Sequence, residues 1–159
     1  MKSTMKGRMV LIYFLALFVS GSVFAQQLPQ QVKRYLGQNY KGWRLSESKK
    51  ACGPETNAGY VFGDFDGNGS RDYAVKFTKG KKGYIVAFLK KNDSFKTYIL
   101  HNYDANEAEY SSLATYRKGD TFEYGDKKLK LKHDAPSDYH CESDVGGIHY
   151  YRNGKFVGY

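Results

Sequence analysis

The stretch GDFDGNGSRDYAVKF, Gly63 to Phe77, sets three aspartates, an asparagine and three glycines directly ahead of a run that reads as a β-strand. Counted from Asp64, the oxygen-bearing side chains fall at positions 1, 3, 5 and 9, which are Asp64, Asp66, Asn68 and Asp72, while Ser70 at position 7 offers its carbonyl. A hard cation such as calcium takes six to eight oxygens, and a chain curling round it turns alternate residues inward. Gly69, at position 6, permits the sharp turn that such a loop needs. The metal-free reading is a polar hairpin whose Asp and Asn side chains cap backbone groups. Crowded carboxylates repel one another unless a cation sits among them, which favours the ion. Arg71 inside the loop and Lys76 just after it oppose it, and both readings stand at this point.

Position 12, where a helix-loop-helix calcium site carries its bidentate glutamate, is Val75, and the flanks YVFG and DYAVKF are strand-like, so an EF-hand is excluded. The segment GDFDGNGSRDYAV resembles the calcium loop of the FG-GAP and VCBS repeat families, in which D-x-[DN]-x-[DN]-G-x-x-D links two strands of a sheet. That resemblance implies Asp64, Asp66, Asn68 and Asp72 as side-chain ligands, Ser70 as carbonyl ligand, and Ca2+ in a structural role. It covers about 15 residues, and the single copy does not carry over the propeller of those families. Over its whole length the chain also resembles small exported bacterial proteins with one such loop and a terminal Y-x-N-G-K-F hairpin, a likeness that implies a compartment and a fold style.

Outward from the loop, the chain downstream of residue 60 alternates short aromatic and β-branched runs with charged or glycine-containing turns. DYAVKF places Tyr73, Val75 and Phe77 on one face. GYIVAFLKK is apolar without a break from Tyr84 to Leu89, as expected of a central strand covered on both faces. SFKTYILH follows as the next strand of a meander. Residues 102–112 read as a long polar loop, LATYR, DTFEYG and KKLKLK as short strands, and DAPSDYHCESD as a second loop. An Asn153-Gly154 pair signals a closing hairpin. Upstream, residues 27–38 place Leu28, Val32 and Leu36 at helical spacing. The expected fold class is α+β, an N-terminal helix packed on a mostly antiparallel meander sheet with one calcium-loop hairpin.

Lys2, Lys6 and Arg8, the apolar run MVLIYFLALFV and the small residues before Ala25 form a secretory signal over residues 1–25, leaving 26–159 as a single exported domain in the periplasm or outside the cell. The apolar run is shorter than the ~20 residues a membrane span needs, so no span is expected after cleavage. Three of the basic residues leave with the signal, and the formal +9 becomes about +6. Such a charge suits polyanionic glycans, and no nucleic-acid partner is expected. Cys52 and Cys141 are the two cysteines, and in an oxidising compartment they read as one disulfide.

Motifs of nucleophilic, zinc-protease, nucleotide or dinucleotide chemistry are absent. His133 beside Asp134, and His140 beside Cys141, are sequence neighbours that point to opposite faces of a strand and so make no dyad. The expectation is a non-catalytic binding or structural module. The alternatives are a periplasmic inhibitor or immunity-type protein that blocks a partner enzyme, and a calcium-dependent hydrolase.

Overall fold

The computed structural model describes residues 27–48, 59–141 and 145–159. The signal-peptide reading falls on residues outside these, as does Cys52. One helix, α1 (Gln30–Asn39), is followed by eleven strands: β1 (Arg44–Leu45), β2 (Tyr60–Gly63), β3 (Asp72–Lys79), β4 (Lys82–Lys91), β5 (Ser94–Asp104), β6 (Ser111–Tyr116), β7 (Thr121–Tyr124), β8 (Lys127–Lys130), β9 (Ala135–His140), β10 (Val145–Arg152) and β11 (Lys155–Gly158). The α+β class is thereby corrected. Among the described residues the protein is mostly β, 55% strand against 11% helical, with one α-helix at residues 30–39 rather than at the N-terminus and a single 3-10 turn at Ala105–Glu107, and its strands form several antiparallel sheets rather than one meander.

The first sheet runs β1-β3-β4-β5, and β2 also pairs with β3. β1 and β2 share one edge of β3 in succession, β1 opposite Phe77 and Thr78, β2 opposite Asp72 to Val75. Because side chains alternate across a strand, Val75, Phe77, Val86 and Phe88 face α1, where they meet Leu28, Val32 and Leu36. Each of these buried side chains contributes about 1.5–3 kcal/mol. α1 thus holds by packing, since Pro29 at its N-cap makes no side-chain cap bond. The opposite face buries Ala74 and Leu89 with Phe65, against Tyr151 and Phe156 of the terminal hairpin. The unbroken apolar run of β4 is covered on both faces, as its pattern requires.

The second sheet, β11-β10-β9-β6, has its own core of Leu131, Ala135, Ile148 and Tyr150. Its strand β9 occupies the segment expected to be a loop. Pro136 hides it, because proline donates no ladder bond. The strand tolerates it there because β10 pairs with β9 only from Ser137 to His140, leaving Pro136 opposite Thr115 of β6 alone. β7 and β8 form a separate two-stranded ribbon. The closing hairpin turns at Asn153 (φ 53°) and Gly154 (φ 81°), a left-handed pair that suits the Asn-Gly sequence. Among the described residues no helix is long and apolar enough to cross a membrane.

Candidate metal centre

The loop from Asp64 to Arg71 joins β2 to β3, and its ends meet as the register pair Gly63 and Asp72. Phe65 anchors it, fully buried beneath the first sheet. Gly63 has no room for a side chain, since a Cβ there would stand 2.7 Å from both Asp134 Oδ2 and the Phe65 ring. Gly67 and Gly69 take φ of +75° and +79°, values that side-chain-bearing residues rarely adopt. The intervening carboxylates fold inward: Asp66 Oδ1 accepts from Asn68 N–H (3.2 Å) and Asp64 Oδ2 from Gly69 N–H (3.0 Å).

Asp64, Asp66 and Asp72 each bring a carboxylate oxygen to within 4.8 Å of the others, and together they could hold a metal ion. Asp72 is fully buried and accepts two backbone N–H groups, from Phe65 and from Lys90, each at 2.7 Å. Burial raises its carboxyl to about 6, the Lys90 and Phe65 N–H groups oppose the rise, and Asp66 and Asp64 add to it. Asp64 Oδ1 is buried and has no hydrogen-bond partner among the described residues. A buried carboxylate oxygen left unpaired costs free energy that a cation would recover.

Asn68 and Ser70 stand differently. Asn68 Oδ1 accepts from Ser70 N–H at 2.7 Å and its Nδ2 donates to the Lys90 carbonyl at 3.0 Å, so the side chain braces the loop against β4. The two cations weighed against the ion are both turned away from the cluster. Arg71 lays its guanidinium over the Phe62 ring at 4.8 Å, and Lys76 is buried with its Nζ on Ser48, Ala108 and Ser111. The ammonium that does reach the carboxylates is Lys91, whose Nζ lies 2.5 Å from Asp66 Oδ2 and is pushed up by that contact. Lys91 belongs to the far end of a hairpin and no local pattern links it to Asp66.

A second participant invisible to local reading is Asp134. Its N–H donates to the Asp64 carbonyl and its Oδ2 accepts from Asp64 N–H, both at 3.1 Å. The same carboxylate accepts from Lys118 N–H at 2.8 Å and from Arg117 Nη1 at 3.3 Å. His133 is spent on structure: its ring nitrogens lie 3.0 and 2.9 Å from the carbonyls of Asp134 and Tyr151, and it stacks on Tyr150 at 4.4 Å. Of the expected Cys52–Cys141 pair only Cys141 is described; it follows β9, donates its N–H to the Tyr110 carbonyl at 2.8 Å and is not a free thiol. Compared with family models, with curated proteins and with solved structures, the chain finds no match.

Proposed function

We propose that this is an exported, non-catalytic binding or structural module whose acidic loop holds a structural Ca2+ in the manner of an FG-GAP or VCBS loop. The observation that carries the reading is the meeting of Asp64, Asp66 and Asp72 within 4.8 Å, one of their oxygens buried and unpaired. Asn68 and the Ser70 carbonyl complete the oxygen set once the ion draws the turn round it. Calcium suits the site better than magnesium, because a glycine-containing loop of carboxylates and carbonyls supplies many oxygens in flexible geometry. The ion's work is to neutralise the carboxylates and fix the turn that feeds β3, the strand to which both α1 and β4 are attached.

The test is the thermal midpoint of the oxidised protein in chelator and across a calcium titration to about 5 mM. With a dissociation constant in the range of roughly 0.1–1 mM seen for extracellular modules, the ion adds about 1–2 kcal/mol at the top of the titration. Asp66→Ala removes the rise. A midpoint that ignores calcium in the wild-type protein returns the loop to a metal-free turn.

A further inference from the structure

A second polar constellation shares no residue with the acidic loop and lies in a cleft of about 500 Å³ where β5 of the first sheet meets β9 and β10 of the second. Asp138 stands there between two imidazoles, its Oδ2 2.6 Å from His101 Nδ1 and its Oδ1 2.9 Å from His149 Nε2. Burial drives the Asp138 carboxyl up, but the bonds from His149 and His101 outweigh it and hold the group below the ordinary carboxylate value. A carboxylate only accepts, so each ring turns an N–H toward it. His101 is half-exposed, and His149 and Asp138 are largely buried, with side chains 50%, 13% and 17% exposed.

The rest of the lining includes Tyr103, Ile148 and Tyr159 as apolar and aromatic surface, and Glu107, Ser111 and His140 as polar groups. Among the described residues no lysine or arginine lines the cleft, although the chain has 25 of them. Among the described residues that line it, the acidic ones are Asp138 and Glu107. An anion would meet like charge there. A metal ion is not matched either, because Asp64, Asp66 and Asp72 are the group of described residues whose ligand atoms converge, and the two histidines with Asp138 do not. What complements hydrogen-bond acceptors, negative charge and aromatic faces is a cationic donor on an apolar stem.

We propose that this cleft binds an aliphatic primary ammonium, the group carried by a lysine side chain or an alkylamine. Its head lies between Glu107 and Asp138, and its stem lies along Tyr103, Ile148 and Tyr159. The site is separate from the acidic loop and does not depend on an ion there.

Three probes of one length separate charge from bulk: hexylamine, 1-hexanol and hexanoate, titrated calorimetrically into the full oxidised protein at about pH 8. Hexylamine binds at least tenfold more tightly than hexanol, and hexanoate does not compete. Glu107→Gln weakens hexylamine roughly tenfold, as expected for loss of one charge-assisted contact. Asp138→Asn weakens it further, and Asp66→Ala leaves it unchanged. Should Asp138→Asn fail to fold, Glu107→Gln decides alone, since Glu107 is exposed and its substitution leaves the core untouched. Equal binding of the three probes, preference for hexanoate, no binding of hexylamine at millimolar concentration, or indifference to Glu107→Gln overturns the assignment.

Discussion

Lys76 is a fully buried lysine, and none of the ion pairs among the described residues includes it. Its Nζ lies 3.1 Å from Ser48 Oγ and 3.0 Å from the Ala108 carbonyl, with the Ser111 carbonyl as a third acceptor. Burial lowers it from 10.5 to about 8. At 1.36 kcal/mol per pH unit, holding the ammonium inside costs about 3 kcal/mol at neutral pH. The sign follows from proton counting. Between about pH 8 and 10.5 the unfolded chain holds the proton that the folded chain has released, so this group makes folding more favourable as pH climbs through that window. Lys76→Met keeps a straight side chain of similar length and removes the titration. At pH 7 the gain from removing the charge is offset by the acceptors left unpaired, at about 1–3 kcal/mol for each. The informative quantity is therefore the change with pH. Urea unfolding of wild type and Lys76→Met at pH 7, 8, 9 and 10 should show the wild type gaining toward about 3 kcal/mol on the variant over the upper part of that range. A difference that stays constant with pH would mean that the three oxygens fully replace the water the ammonium lost, and the burial reasoning fails.

Phe77→Ala removes a fully buried ring that stacks on Tyr84 at 5.3 Å and meets Tyr40 edge-on at 4.8 Å, and urea unfolding should show a loss of about 3–5 kcal/mol. Gly83→Ala puts a Cβ 2.0 Å from the Tyr103 ring and should lower the thermal midpoint by the equivalent of about 1–3 kcal/mol; the same change made in Tyr103→Ala should cost much less, and equal costs would refute the clash. The depressed Asp138 carboxyl contributes stability that is complete above the unfolded carboxyl value and is lost as pH falls through its folded value. An acid titration of stability should accordingly show wild type and Asp138→Asn drawing together at low pH.

What was legible in the sequence was local. The spacing that brings the carboxylates of Asp64, Asp66 and Asp72 together, the alternation of Tyr73, Val75 and Phe77, the unbroken run of β4 and the Asn153-Gly154 turn are each written within a dozen residues. What was not legible was pairing at a distance. β9 carries Pro136, Ser137 and Asp138 where an apolar alternation would announce a strand, and its partner β6 lies in a separate stretch of chain, so β9 reads as a loop and nothing local shows that β6, β10 and β11 join it in a sheet of their own rather than one meander. Lys91 reaches Asp66 across 25 residues and Asp138 reaches His101 across 37. His133 and Asp134 lie on the bend before β9 and not on a strand, and His133 meets the Asp134 carbonyl rather than its carboxylate. Reading neighbours could not reveal that the histidines with a carboxylate partner are two others, supplied by different strands.

The Asp134 carboxylate, which gathers Asp64, Arg117 and Lys118, belongs to the turn that leads into the second sheet, while Asp64 closes a hairpin of the first. A knot of that kind fails as a unit, because releasing any one strand of it leaves the others with unpaired polar groups. Neither sheet therefore has an inexpensive way to open alone at this end of the molecule. Heating should produce a single calorimetric transition, with the slowest-exchanging amides divided between both sheets instead of gathered in one.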